Sequence, residues 1–219
     1  MSIITISREF GSGGREIGKR LADELGYAYY DREIVTAIAQ KTQLDEGYVA
    51  SALEGGLFRS VPIHFGRPFS YSTTLMTNTA NLFVEQHKII RELAAKGDCI
   101  IVGRAADAIL EEYAPFNLFV YADMDAKVKR CQDRAPEGEA LTQRDLIRHI
   151  KKIDAERAKY HEMFSDTRWG RKESYHLCVN TTGADIKTLV PVIAQYAKSW
   201  FSSQVRKRKR TDRCPCVFS

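Results

Sequence analysis

The chain has 219 residues, a formal net charge of +5 and 44% hydrophobic content, which suits one α/β domain with a single core and a modest insertion. No apolar stretch approaches the roughly 20 residues of a membrane span, so membrane insertion is not expected. Much of the positive charge sits in Arg206-Lys207-Arg208-Lys209-Arg210, which argues against a body-wide nucleic-acid surface.

Met1 leads into an apolar strand and a polar loop with no charged n-region or h-region, so no secretory signal is expected. Residues 3–7 are an apolar, β-branched run that predicts a buried strand. Arg8-Glu9-Phe10-Gly11-Ser12-Gly13-Gly14 follows, then a helical period over 15–25. Ile17, Leu21 and Leu25 share one face there, and Gly26 supplies the stop. Further strands are expected at 28–31, 99–103, 117–122 and 176–181, and helices at 32–41, 81–96, 105–113, 125–134, 143–163 and 186–201. Apolar strands separated by helices predict a parallel sheet of roughly five strands with helices on both faces. Residues 55–79 break the rhythm: Gly55-Gly56, Pro62, Gly66-Arg67-Pro68 and a Ser/Thr cluster read as a long loop on the substrate side. Cys99, Cys131 and Cys178 stand singly inside periodic segments, and Cys214/Cys216 form a C-x-C without a second pair, a weak metal signal. These thiols point to a reducing, cytoplasmic setting.

The order strand, glycine-rich loop, helix start is that of a phosphate loop, whose converging amides and helix dipole hold an anion. Such a loop ends G-x-x-x-x-G-K-[ST], with Lys on the outer phosphates and the hydroxyl on Mg²⁺. In the register that begins after Ser7, Gly14 takes the last glycine position. Arg15 then stands for Lys, Glu16 for Ser/Thr and Glu9 for the first glycine. Arg15 keeps the charge and adds a bidentate fork. Glu16 is either an Mg²⁺ ligand or a first-turn acid favoured by the helix dipole.

Two other patterns are rejected. The literal G-x-x-x-x-G-K at Gly13 to Gly18-Lys19 would end the loop a turn inside the helix, with Lys19 off the apolar stripe. The dinucleotide pattern through Gly11 and Gly13, with Asp31 as its acid, has Glu16 at the third glycine, where a carboxylate would repel a pyrophosphate. The five histidines (His64, His87, His149, His161, His176) show no metal-ligand spacing and no triad.

From about residue 3 to 201 the chain resembles the cytidylate kinase-like family, a branch of the P-loop nucleoside monophosphate kinases. The resemblance is carried by Ile4-Thr5-Ile6-Ser7-Arg8-Glu9-Phe10-Gly11-Ser12-Gly13-Gly14-Arg15-Glu16-Ile17, Tyr30-Asp31, Ile100-Ile101-Val102-Gly103-Arg104, Asp154-Ala155-Glu156-Arg157-Ala158-Lys159-Tyr160 and Tyr175-His176-Leu177-Cys178-Val179-Asn180. It implies a P-loop nucleoside-triphosphatase fold in one domain over 1–201, with an acceptor-side lobe at about 45–95 and a lid at about 130–172; the basic tail at 202–219 lies outside the resemblance. It also implies ATP and Mg²⁺ as cofactors and small-molecule nucleotides as partners, most simply a (d)CMP-type acceptor.

Phosphoryl transfer is largely positioning plus charge neutralisation, so arginines converging from several elements are what it needs. Arg104 falls at the C-terminal end of a buried strand, where α/β sheets bind ligands. It matches the Gly-Arg that resembling kinases direct at the acceptor. The acid that follows that Arg in cytidylate kinases is replaced by Ala105, with Asp107 two residues on. Arg130 and Arg134 share a helix face before Ala135-Pro136-Glu137-Gly138, a lid turn.

The expected catalytic residues are Arg15, Arg104 and Arg157. Gly11, Ser12, Gly13, Gly14, Arg15, Glu16, Arg130 and Arg134 are expected to bind the donor phosphates. Asp31, Arg104, Asp107 and Asp154 are expected to bind the acceptor, with Asp154 also positioning Arg157; Glu16 is the metal candidate. The alternative is a non-catalytic nucleotide- or phosphate-binding regulatory module with an altered loop, its basic tail contacting nucleic acid.

Overall fold

Ile3, Ile4, Thr5 and Ile6 are all buried because the strand they form runs down the middle of the sheet. This strand, β1 (Ile3–Arg8), lies between β3 (Cys99–Val102) and β4 (Phe116–Tyr121). β2 (Ala28–Tyr30) and β5 (Leu177–Asn180) close the two edges, giving the order β2-β3-β1-β4-β5. Every pairing is parallel; Ile4, for example, lies opposite both Ile100 and Phe116. The computed structural model describes residues 1–54, 70–135 and 142–211.

The alternation of the strands divides the core in two. Ile4, Ile6, Ile100, Val102, Leu118 and Val120 face α1 (Gly14–Leu25) and α8 (Ile186–Thr211). Ile3, Cys99 and Ile101 face the other layer, which holds α2 (Glu33–Thr42), α3 (Glu46–Glu54), α4 (Ser70–Ala95) and α5 (Ala106–Ile109). Each fully buried Ile or Leu stabilises the fold by about 2 kcal/mol. α6 (Met124–Gln132) and α7 (Gln143–Glu162) form a smaller cluster around Val128, Leu146 and Ile150. α1 ends as the sequence predicts, with Gly26 at φ +69 and its N–H on Ala22 O.

The doubly covered parallel sheet agrees with the sequence pattern, and the helical layer differs from it in three places. α3 was not anticipated, although Asp45 Oδ1 accepts the Tyr48 N–H at 2.9 Å and Val49 and Leu53 are buried one turn apart. α4 starts at Ser70, so 70–79 is helix where a loop is expected. Its Ser/Thr/Asn-rich start has weak intrinsic helix propensity and hides a helix carried forward from the packed turns beyond it. α8 continues to Thr211, past the expected end at 201. The rest of the expected loop (55–69), most of the lid turn (136–138) and Cys214/Cys216 lie outside the described residues. Among the described residues no helix is long and apolar enough to cross a membrane.

The turns after β1 and β3 open on the same edge of the sheet. The chain order reverses on either side of β1, which makes that edge the place where an open α/β sheet binds ligands.

Candidate active site

The chain leaves β1 at Arg8 and turns through Glu9–Gly13 before α1 begins. Glu9 N–H still donates to Val120 O at 3.0 Å, and the Ser12 hydroxyl closes the turn by donating to Glu9 O at 2.8 Å. Gly11 and Gly13 have φ of +76 and +84, a conformation costing about 1–2 kcal/mol for any other residue. Space forbids a side chain as well. A Cβ on Gly13 would lie 2.4 Å from Ile186 Cδ1, and one on Gly14 would lie 2.6 Å from Arg8 Cβ. No side chain caps α1, so its first-turn amides are left for solvent or an anion.

Groups remote in sequence hold this loop in shape. Asp154 Oδ1 accepts the Phe10 N–H at 2.6 Å, and Thr181 Oγ1 donates to Ser12 O at 2.7 Å. Arg130 donates to Gly11 O at 2.7 Å and to Thr181 O at 3.3 Å. Beneath the loop Lys127, with 5% of its side chain exposed, donates to Glu9 Oε2 at 3.0 Å and to Asp154 Oδ2 at 3.1 Å. Burial pushes Lys127 down, but the hydrogen bonds to Glu9 and Asp154 carry it above its ordinary value of 10.5.

The loop opens into a cavity of about 1470 Å³, whose walls include Arg8, Arg15, Arg104, Arg130, Arg134 and Arg157. Its far side is lined by Arg32 and Val35 of the α2 region and by Glu46, Ala50 and Leu53 of α3. Four of the arginines converge at one end. Arg15 Nε lies 2.7 Å from Asp31 Oδ2, and Arg8 lies 3.7 Å from Asp31 Oδ1. Arg157 donates to Arg8 O at 3.0 Å and stands over the Phe10 ring, 5.7 Å from its centroid. Arg104 arrives from a turn in which Gly103, Arg104 and Ala105 all have positive φ (+75, +61 and +50). Two consecutive non-glycine residues in this region store strain, a feature that gathers at ligand sites. A Cβ on Gly103 would overlap Arg8 Nη1 at 1.7 Å, so any side chain there would displace that guanidinium. Burial, then the nearby Arg157, push Arg8 down to about 9, with Arg15 and Arg104 acting in the same direction and Asp31 against them. The local potential is therefore positive, and an anion would relieve it.

The expected site residues other than Glu16 fall into two groups. Gly11, Gly13, Gly14, Arg15, Arg104, Arg130, Arg134 and Arg157 share the cavity wall, and Ser12 is buried in the loop beneath. Arg15 is turned to Asp31 at the end of β2 rather than folded back over the loop. Asp31, Asp107 and Asp154 hold protein groups. Asp31 is shared by two arginines. Asp107 is buried against His161 Nε2 at 2.7 Å. Asp154 lies under the glycine loop, where it holds the Phe10 N–H and Lys127. The rejected Gly18 is a packing glycine, whose Cβ would sit 3.1 Å from Val102 Cγ2.

Glu16 does not fit a metal-ligand role. One oxygen accepts from Arg20 Nε at 3.0 Å and the other is paired with Arg134. Among the described residues no group of three or more His, Cys, Asp or Glu is arranged to hold a metal. A nucleotide triphosphate does fit, because the loop amides and the flanking guanidiniums offer donors and positive charge on one wall.

The sequence gives no role to Arg8, Lys127 or His161, and it puts Asn180-Thr181 near an adenine, whereas Thr181 braces the glycine loop through Ser12 O. Arg8 stood in the motif with no role, because a strand-end residue gives no hint of which neighbours it meets. Lys127 reads as one of several lysines on a polar helix; its burial is set by Glu9 and Asp154, and Glu9 is one of the three positions that depart from the loop pattern.

No curated protein matches the chain. A protein from Eubacterium ventriosum ATCC 27560, described as uncharacterized, has a crystal structure with a TM-score of 0.64 at 24% identity, covering 91% of this chain and 99% of that one. Shikimate kinase from Bacteroides thetaiotaomicron gives a TM-score of 0.55 at 14% identity, covering 90% and 98%. These likenesses show the fold, that of the P-loop kinases. The model of the cytidylate kinase-like family matches residues 3–183, a span that holds the glycine loop, Gly103-Arg104, α6, α7 and β5. The chain belongs to the cytidylate kinase-like family.

Proposed function

We propose that the protein is a nucleotide kinase that moves the γ-phosphoryl group of ATP to a small acceptor, with a (d)CMP-type nucleoside monophosphate the first candidate. One observation carries this reading: a glycine loop with uncapped helix amides opens into the cavity where arginines from three separate elements converge. In this reading the amides of Gly11 to Glu16 hold the donor phosphates, with Arg130 fixing the loop and Arg134 beside it. ATP supplies the phosphoryl group. Arg15, Arg104 and Arg157 offset the charge that spreads over the transferred group. Mg²⁺ would enter bound to the nucleotide's phosphates, since the carboxylates around the loop already hold Lys127, Arg20 and Arg134.

A coupled assay of ATP consumption with CMP, dCMP, UMP and AMP tests the reading. Turnover of at least one acceptor is expected. No turnover with any of them, together with no ATP protection against thermal unfolding, would overturn it.

A second reading, a nucleotide-binding regulatory module without turnover, draws on the ion pairs that occupy both altered loop positions, Arg15 with Asp31 and Glu16 with Arg134. Tight ATP binding without phosphoryl transfer, not restored by Arg15→Lys with Glu16→Ser, would favour it.

A further inference from the structure

We propose that Arg8, the last residue of β1, is the principal anion-binding residue on the acceptor side of the cavity, where it takes a dianionic phosphate group while Asp31 holds its guanidinium in place. The proposal rests on the kinase reading above and adds a residue and a ligand chemistry to it.

Position comes first. β1 has β3 and β2 on one side and β4 and β5 on the other. The Arg8 guanidinium lies against Gly103 at the end of β3 and beside Asp31 at the end of β2. It therefore points away from the β4–β5 side, where Thr181 and Arg130 brace the donor loop. It lines the cavity with only 13% of its side chain exposed.

Space and charge agree. Gly103 carries no side chain where a Cβ would strike Arg8 Nη1, so the glycine leaves the guanidinium its present place against the β3 turn. Arg15 competes for the same Asp31 carboxylate, and Arg157 is bound to the Arg8 backbone oxygen. Arg157, Arg15 and Arg104 all disfavour the Arg8 charge, whereas Asp31 alone among its charged neighbours favours it. A guanidinium set among like charges at a cavity wall is destabilising until an anion arrives. Its planar fork suits a phosphate better than a point charge does. The residue at the lysine position of the loop, Arg15, is diverted to Asp31, which leaves Arg8 as the guanidinium seated at the junction of the β1 and β3 turns.

The test uses thermal melts of the full chain with ADP and inorganic phosphate as probes. ADP occupies the donor loop, and phosphate added at saturating ADP reads the Arg8 subsite. In the parent protein ADP raises the melting temperature and phosphate raises it further. Arg8→Met keeps the stem that packs on Gly14 and removes the charge. It should melt higher than the parent without ligand, keep the ADP response, and need at least about tenfold more phosphate for half-saturation. Arg8→Lys keeps the charge and loses the fork, so its phosphate half-saturation should rise a few-fold, and it serves if Arg8→Met does not fold. An ADP response without any further phosphate response in the parent, or an unchanged phosphate half-saturation in both variants, would sink the Arg8 assignment alone. No response to ADP or ATP would sink the kinase reading instead.

Discussion

Arg15, the residue at the lysine position of the loop, is bonded through Nε to Asp31 Oδ2 at 2.7 Å, just past the end of β2. The same carboxylate is the counter-charge of the largely buried Arg8. Asp31→Asn should therefore cost stability without ligand. The half-exposed Arg15 loses little, but the Arg8 charge loses its partner, and a fall of about 1–2 kcal/mol is expected. Urea unfolding measures it. The deficit should shrink in saturating phosphate; an Asn variant as stable as the parent would remove Asp31 as the anchor of this cluster.

His87 faces the Phe164 ring, with centroids 4.8 Å apart, and its buried Nε2 has no hydrogen-bond partner among the described residues. Burial, with Arg91 adding to it, lowers its pKa from the ordinary 6.5. The unfolded chain thus takes up the proton first, and the native state loses stability as pH falls below 6.5. His87→Phe keeps the ring contact and removes the titrating group. Its unfolding free energy should fall less steeply on the acid side of 6.5 than that of the parent, in melts at a series of pH values.

The sheet was legible because its strands are short, apolar and separated by stretches of helical period, a pattern that local chemistry alone writes. The loop was legible for the same reason, since Gly11, Gly13 and Gly14 meet a backbone and packing requirement visible in the run itself. The partners of the charged residues were not. Asp31 and Asp107 read as acceptor contacts because they sit near the ends of the right elements, and Asp154 because it falls three residues before Arg157. Which group each one meets depends on elements up to 144 residues away, as the Phe10 N–H bond to Asp154 illustrates. A carboxylate in a motif tells the reader that a cation is near, not whether that cation belongs to the ligand or to the protein.

Lys127 ties α6 to the loop through Glu9 and to α7 through Asp154. Lys127→Met would leave both carboxylates without their cation in a poorly solvated place, and a loss of about 3 kcal/mol or more is expected. Because its pKa is raised, the native contribution of this lysine is complete below 10.5 and is lost as pH rises above that value. The alkaline fall in stability should accordingly be shallower in Lys127→Met. Equal unfolding free energies for the variant and the parent at neutral pH would show that the network does not support the loop.

Glu16 stands where a phosphate loop has its metal-binding hydroxyl, yet its oxygens hold Arg20 and Arg134. Glu16→Gln should leave the Mg²⁺ concentration needed for the ATP-induced melting shift unchanged within about twofold. Stability should drop by less than about 1 kcal/mol, since both arginines are well exposed. A tenfold rise in the Mg²⁺ requirement would return Glu16 to the metal.

Gly13 is the tightest point of the loop, with a left-handed backbone at φ +84 and Ile186 Cδ1 occupying the place of a Cβ. Gly13→Ala has to push Ile186 back into the α8 face of the core or flatten the turn. The left-handed strain alone is about 1–2 kcal/mol, and displacement of a packed Ile adds to it. Glycine loses more freedom on folding than alanine does, but that gain of a few tenths to about 1 kcal/mol does not offset the collision. The variant should melt lower than the parent and lose its ADP-induced stabilisation. The decisive comparison is with Gly13→Ala/Ile186→Val, which deletes the offending Cδ1. If the loop geometry is what binds phosphate, the double variant should recover part of the ADP response; if ADP still stabilises Gly13→Ala as it does the parent, the loop amides are not the donor site.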